Sequence, residues 1–186
     1  MKPRRTRDIC LLILALCALP GAIAAPADGN IEVAFSPHGE ATELVIKCID
    51  SARTSIRVSS YSFTSKPIAD ALVRAHERGI DVKVLMDKSQ KRHDTASYLS
   101  EMGVPLRIDA RHAIYHNKFL VIDDRHVETG SFNYTRAAQR SNAENVLLVW
   151  NNPSLAHQYA DDWALHWQHS EPYAARYRSS AAAAQD

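Results

Sequence analysis

The sequence predicts an α/β fold in which a mixed, largely parallel β-sheet is flanked by helices on both faces. In the first two thirds of the chain, short apolar runs rich in β-branched residues alternate with segments of helical periodicity. Further on, two strand-like runs are separated only by a short polar loop, which predicts an antiparallel hairpin. With 186 residues, 46% of them hydrophobic, the chain is long enough for one domain with a sizeable core.

The alternating part predicts four strands and three helices. Breakers and caps mark the ends of the helices: Ser65 and Pro67 can begin the second helix, and Gly79 and Gly103 can end the second and third. Strands separated by helices in this way pair in parallel in most sheets. The predicted strands cover residues 31–35, 55–63, 81–87 and 106–108, and the helices lie over 41–52, 65–79 and 94–103.

The last part of the chain departs from that alternation. Strands are predicted at 118–122 and 127–130, joined by the polar loop 123–126, and a further buried strand at 145–150. Asn152 and Pro153 then begin a final helix, whose Trp163 and Trp167 we interpret as core residues.

The N-terminus predicts a cleavable secretory signal peptide at residues 1–24. A basic start is followed by the apolar segment 9–19 and by the small-x-small site Ala22-Ile23-Ala24. The apolar segment is short for a membrane span, so an uncleaved anchor is the minor alternative. We therefore expect a periplasmic or secreted protein without a membrane anchor, with a single catalytic domain at 25–176 and a disordered tail at 177–186.

The charge and the cysteine content of the chain limit the binding partners and the disulfides that can be expected. The chain has 22 Lys and Arg against 21 Asp and Glu, and loss of the basic signal peptide would leave it slightly acidic. The sequence lacks the basic tail that would indicate a nucleic-acid partner. A polyanion would therefore have to be bound by a local patch. Two of the three cysteines lie in the predicted signal peptide, which leaves Cys48 without an internal disulfide partner and predicts a small core residue.

Two polar pairs are placed on the predicted hairpin strands. Side chains two apart on a strand share a face, so His116 projects with Lys118, and Ser131 with Asn133, whereas Asp123 has the opposite parity to His116. An imidazole, a cation and neutral donors on neighbouring strand ends are the groups needed to hold a phosphate and attack it.

The complete spacing is H-x-K-x4-D, then six residues, then G-S-x-N, and it resembles the phospholipase D superfamily. Every position of the pattern is filled, from His116 through Lys118 and Asp123 to Gly130, Ser131 and Asn133. A chance His and Lys at the start of a buried strand would not account for the second segment. The resemblance implies the phospholipase D-like fold and, in its short members, a bacterial periplasmic or secreted endonuclease.

The resemblance also implies roles for individual residues. His116, Lys118, Asn133 and Glu144 would be catalytic, and Ser131 would bind phosphate together with Lys118 and Asn133. Asp123 and Gly130 would be structural. Glu144 matches the carboxylate that orients the catalytic imidazole in the family. Its alternative role is that of a solvated loop acid.

The chain has one copy of a motif that many family members carry twice. We therefore expect a homodimer, whose two-fold axis would bring two copies of His116 into one site. The predicted activity is that of a metal-independent phosphodiesterase, a non-specific endonuclease that acts through a phosphohistidine intermediate on DNA, with RNA as a second substrate. A phospholipase acting on lipid head groups and a non-catalytic nucleic-acid-binding module are the alternatives.

No cofactor and no metal site is predicted. The other histidines are scattered and none is paired with Cys or Asp at the spacing of a metal motif. Asp87 and the pair Asp123 and Asp124 are the carboxylates that could in principle hold Mg²⁺.

Overall fold

The structure is a computed structural model that describes residues 30–173. The predicted signal peptide at 1–24, the tail at 177–186 and both ends of the predicted domain lie outside the described residues. Within 30–173, none of the helices combines the length and the apolar character needed to cross a membrane.

The described residues form eight strands and five α-helices, and the predicted elements are present with shifts of a few residues at their ends. The strands are β1 (Ile31–Ser36), β2 (Ser55–Ser60), β3 (Asp81–Asp87), β4 (Leu106–Asp109), β5 (Lys118–Ile122), β6 (His126–Gly130), β7 (Glu144–Val149) and β8 (Glu171–Pro172). The helices are α1 (Ala41–Asp50), α2 (Lys66–Glu77), α3 (Asp94–Glu101), α4 (Arg136–Arg140) and α5 (Pro153–His169).

All eight strands form one sheet in the order β1-β7-β6-β5-β2-β3-β4-β8. The mixed α/β class is confirmed, but the prediction that the sheet is largely parallel is wrong. Only β2 with β3 and β3 with β4 pair in parallel, and the other neighbours are antiparallel. The reason is that β5 runs antiparallel to β2, and the hairpin then continues as an antiparallel β5-β6-β7-β1 half.

Helices cover both faces of the sheet, as predicted. Successive residues of a strand point to opposite faces, and β5 shows this directly: Leu120 packs with the buried residues of α1 to α4, whereas Val121 packs with those of α5. Trp163 of α5 is 4% exposed, and its indole N–H donates to the carbonyl of Val58 at 3.0 Å. Both faces of β5 are thus buried, which fixes its register and the position of its first residue.

The turn between β5 and β6 is held by Asp123. Its carboxylate accepts hydrogen bonds from the backbone amides of Arg53, Thr54 and Ser55 and from the Thr54 hydroxyl, at distances of 2.8 to 2.9 Å. These bonds hold the pKa of Asp123 below its usual value, although burial alone would raise it. The motif aspartate therefore anchors the far end of the hairpin to the segment that precedes β2, away from His116.

Candidate active site

The site lies where β5 begins and β6 ends. Antiparallel pairing aligns Phe119 with Thr129, so the residues just before β5 and just after β6 meet at one edge of the sheet. A cleft of about 600 Å³ opens there. It is lined by His116, Asn117, Lys118, Phe119, Thr129, Gly130, Ser131, Gln158, Tyr159 and Asp162.

Gly130 allows the two motif segments to approach each other. A Cβ atom at this position would lie 2.2 Å from the carbonyl oxygen of Asn145 on β7, a distance that no side chain tolerates. The missing side chain lets β6 end tight against the start of β7. The glycine of the motif is therefore required by backbone packing and not by chemistry.

His116 presents its imidazole to solvent beside an aromatic ring. The residue is exposed, and its ring lies 4.4 Å from that of Tyr61, centroid to centroid, at a tilt of 56°. Within residues 30–173, no acidic side chain forms a hydrogen bond with this imidazole. The ring is positioned by packing, and its nitrogens are available to a substrate or to a partner chain.

Lys118 carries a cation that is largely buried and not neutralised. The residue is 9% exposed, its Nζ donates to the backbone carbonyl of His116 at 2.6 Å, and it lies 5.2 Å from the centre of the Tyr61 ring. Burial lowers the pKa of Lys118, and the charge of Glu144 opposes that shift. Among the described residues, no carboxylate forms an ion pair with it. An anionic group entering the cleft would supply the missing counter-charge.

Ser131 and Glu144 form a hydrogen-bonded unit at the rim of the cleft. The Ser131 hydroxyl donates to the Glu144 carboxylate at 2.6 Å and accepts from the Asn145 amide at 3.1 Å, while Asn142 donates to the other Glu144 oxygen at 2.9 Å. The hydrogen bond expected between Glu144 and His116 is not formed among the described residues. Glu144 therefore orients Ser131 in its own chain.

Asn133 is placed differently from the other motif residues. It does not line the cleft, and its side-chain Oδ1 is buried without a hydrogen-bond partner among the described residues. Its neighbours Phe132 and Tyr134 are buried, so the segment is anchored in the core. A buried oxygen without a partner is unusual in folded proteins, and a catalytic role is one of the reasons for it.

Asp87, one of the two candidate Mg²⁺ positions, is already fully engaged. One carboxylate oxygen accepts from the Ser89 amide at 2.8 Å, and the other accepts from the Tyr115 amide at 2.6 Å. The second bond holds the segment that leads to His116. These bonds, together with those that tie Asp123 to the segment before β2, give both carboxylates structural roles.

Three residues that contribute to the site are not predicted from the sequence. Tyr61 packs on His116 and Lys118, and Asp162 of α5 reaches Asn117 at 3.4 Å on the other wall of the cleft. Below the site, Glu128 is fully buried and accepts the Tyr134 hydroxyl at 2.6 Å. Only the pairing of β2 with β5 would have located Tyr61, because Ser60 stands opposite Lys118.

Comparison with known proteins identifies the family to which this geometry belongs. Residues 45–167 match the family described as "Cardiolipin synthase, PLD-like domain". The chain belongs to the phospholipase D family. Phospholipase D-like proteins of this kind are phosphodiester hydrolases, and the predicted fold and enzyme class are confirmed.

Individual relatives carry different names. Nuc from Salmonella typhimurium, a phospholipase D family member of solved structure, is 41% identical with a TM-score of 0.76, covering 78% of this chain and 99% of that one. A protein named phospholipase D from Rickettsia typhi is 35% identical over 136 residues, 72% of this chain and 66% of that protein. A mitochondrial cardiolipin hydrolase of Danio rerio is 30% identical over 141 residues, and the chain spans 62% of its length.

Proposed function

We propose that this phospholipase D-like protein is a metal-independent endonuclease that cleaves DNA through a phosphohistidine, with RNA as a second substrate. The observation that carries the proposal is the pairing, in one open cleft, of an exposed imidazole at His116 with the un-neutralised cation of Lys118. A nucleophile beside a cation that lacks a counter-ion is suited to a phosphodiester, whose charge would be neutralised on binding.

The first step is attack of a His116 nitrogen on phosphorus. The nitrogen lone pair forms the N–P bond while the bond to the leaving oxygen breaks, which gives a phosphohistidine and an alkoxide that must receive a proton. Lys118 would stabilise the charge on the non-bridging oxygens. The Asn133 amide would have to turn into the cleft, and the Ser131 hydroxyl would have to exchange Glu144 for the phosphate, before either could assist. A water molecule then attacks phosphorus, the N–P bond breaks, and the imidazole is regenerated.

The proton for the leaving oxygen requires a second acid. We infer that it comes from the His116 of a second copy of the chain, placed against the first by a two-fold axis. The same imidazole would then remove a proton from the attacking water. Glu144 forms no bond with its own His116, so its carboxylate would orient the imidazole across that axis.

Nucleic acid is favoured over lipid by the surroundings of the cleft. The large apolar side chains that are exposed among the described residues do not line it. They are Ile31, Val33, Phe35, Met102, Ile114 and Leu165. A lipid enzyme would benefit from an apolar rim around the cleft that could enter a bilayer surface, whereas a nucleic acid presents its phosphates in water.

Cleavage of phospholipid head groups is the second candidate. It is favoured by the relatives named phospholipase D and cardiolipin hydrolase, which share 30 to 35% of their aligned residues with this chain. The chemistry at phosphorus would be the same, and only the group carried by the phosphate would differ. A non-catalytic binding module is disfavoured, because such a module needs neither His116 nor Lys118.

The test compares both substrates in excess EDTA. We expect the purified protein to nick and linearise plasmid DNA in EDTA and to leave phosphatidylcholine vesicles intact, measured by gel electrophoresis and choline release. His116→Ala should abolish cleavage, and His157→Ala, an exposed histidine elsewhere on α5, should not. Choline release without DNA cleavage would establish the second candidate, and activity lost in EDTA and restored by Mg²⁺ would exclude the metal-independent mechanism.

A further inference from the structure

Four side chains that are far apart in the sequence lie close together beside the candidate active site. Asp109 ends β4, His112 follows in the loop that leads to His116, and His166 and His169 occupy the last turn of α5. We call these four residues the histidine cluster. The spacing in the sequence does not reveal this set, because α5 folds back over the end of β4 and brings together residues about 60 positions apart.

The donor atoms of the cluster are already close. Asp109 Oδ2 lies 2.7 Å from His166 Nδ1 and 3.1 Å from His169 Nε2, and one ligand atom from each of the four residues lies within 4.8 Å of all the others. In a tetrahedral zinc site with bonds of about 2.0 to 2.1 Å, neighbouring donors are roughly 3.3 Å apart. Closure therefore requires a movement on the order of 1.5 Å. His112 can contribute to it, because it is exposed and its ring forms no hydrogen bond within residues 30–173.

The carboxylate of Asp109 is buried, and histidines provide its charge partners. Its side chain has no exposed surface, and no Lys or Arg side chain pairs with it within residues 30–173. Its oxygens accept from the Arg111 amide and face the ring nitrogens of His166 and His169. A buried carboxylate that faces imidazole nitrogens is a ready metal ligand.

The surroundings also have the features of a metal site. The second oxygen of Asp109 accepts the Arg111 amide at 2.9 Å, which fixes the orientation of the carboxylate. His166 directs its other nitrogen towards Asp162 one turn earlier, at 3.9 Å, as ligand histidines commonly do towards an outer carboxylate. An open cleft of about 480 Å³, lined in part by His112, His166 and His169, provides a path of entry.

We propose that Asp109, His112, His166 and His169 form a binding site for a zinc-class divalent transition metal. Three imidazoles and one carboxylate suit Zn²⁺, whereas Mg²⁺ and Ca²⁺ require oxygen-rich shells. The bound ion ties the loop that carries His112 and His116 to the end of α5. It does not contact the reacting phosphate, so its role is to stabilise that loop and not to activate water.

The site is independent of the proposed hydrolysis, so the two proposals fail separately. We would strip tag-free protein with chelator and titrate it with Zn²⁺ by calorimetry and with Co²⁺ by visible absorption. One Zn²⁺ per chain is expected, with the intense absorption of four-coordinate cobalt. At a hundredfold excess over the dissociation constant, Zn²⁺ should raise the melting temperature by about 5 to 10 °C.

Matched variants decide which histidines bind the ion. His112→Ala should weaken Zn²⁺ binding by more than about 100-fold while its circular dichroism spectrum stays that of the wild type, and His169→Gln serves as a second variant. His157→Ala on the same helix and His116→Ala in the cleft should both keep the wild-type affinity. Equal affinity of wild type and His112→Ala, or binding lost in His116→Ala alone, would reduce the cluster to a hydrogen-bonded array and overturn the proposal.

Discussion

The segment 110–117 connects the histidine cluster to the cleft, and the charges of these two sites are balanced in opposite ways. In the cleft, the imidazole of His116 and the ammonium of Lys118 have no acidic partner among the described residues. In the histidine cluster, the Asp109 carboxylate is already bound by His166 and His169. The two groups are close neighbours, since Tyr115 packs against the His166 ring at 4.7 Å and directly precedes His116.

This difference distinguishes a site suited to a reaction from a site suited to a metal ion or a structural ion pair. A nucleophile must keep its lone pair and a phosphate-binding cation must lack a permanent counter-ion, so both groups in the cleft remain without a carboxylate. A metal ligand or a structural ion pair requires the opposite, with charges that are satisfied and orientations that are fixed by hydrogen bonds. Histidine count alone would not distinguish the two, but the partners of each imidazole do.

The largest effect is expected from removing the unpaired imidazole. His116→Ala should lower the rate of phosphodiester cleavage by at least about 10⁴-fold, because the nucleophile itself is lost. The exposed ring contributes little to the core, so the melting temperature should change by only a few degrees at most. Initial rates on plasmid DNA and a thermal melt measure the two quantities.

The labelled intermediate provides the stricter check on His116. Quenching without acid during turnover of a phosphorus-labelled substrate should leave label on His116 in the wild type and none in His116→Ala. Label on a serine, or a variant that retains a tenth of the activity, would show that the imidazole is not the nucleophile.

Glu128 is a second buried acid, and its pKa differs from that of Asp109 because no histidine, lysine or arginine side chain pairs with it within residues 30–173. Glu128 is fully buried, and within residues 30–173 only the Tyr134 hydroxyl donates to its carboxylate. Burial raises the pKa of Glu128 from 4.5 to about 8. The folded state therefore retains a proton that the unfolded chain loses above pH 4.5. The free energy of unfolding should fall as the pH rises towards 8, by up to about 4 to 5 kcal/mol from this residue.

Glu128→Gln tests that sign. The amide keeps an acceptor for Tyr134 but cannot ionise, so the variant should match the wild type near pH 4 and exceed its stability increasingly up to pH 9. Urea unfolding at several pH values measures the difference, and Glu101→Gln on the exposed surface of α3 is the matched control. A parallel pH dependence in Glu128→Gln and wild type would mean that Glu128 is charged in the fold.

Glu144 contributes a negative charge near Lys118 at the rim of the cleft. Glu144→Gln keeps a hydrogen-bond acceptor for Ser131 but removes the negative charge that favours the protonated form of Lys118. Turnover should fall about 100-fold with little change in the Michaelis constant. An unchanged turnover number would leave Glu144 as a structural partner of Ser131.

Much of the fold and of the cleft could be predicted because the responsible signals are local. The strands at 81–87 and 118–122 were located at their observed bounds, since apolar runs bounded by polar residues mark a buried strand. The motif spacing placed His116, Lys118 and Ser131 at one edge because period two and a short hairpin fix their directions.

What the sequence missed depends on long-range pairing. The direction of β5 relative to β2 decides how much of the sheet is parallel, and no local pattern encodes it. The histidine cluster joins Asp109 to residues about 60 positions later. Glu128 resembles an ordinary solvated strand residue, because alternation does not reveal that helices cover its face of the sheet.

The smallest expected effect tests whether the cleft is completed by a second chain. If each site needs two imidazoles, a dimer of one wild-type chain and one His116→Ala chain is inactive, and activity follows the square of the wild-type fraction. After subunit exchange at equal proportions, about one quarter of the activity should remain in place of about one half. The comparison requires equal total protein, a proof of exchange and His157→Ala in place of His116→Ala as the control mixture, which should retain full activity.

If one half of the activity remains, or if sizing shows an active monomer, each chain holds its own proton donor. His112 in the neighbouring loop and His126 at the start of β6 would then be the first to examine, and mutation of His112 would also link the cleft to the histidine cluster.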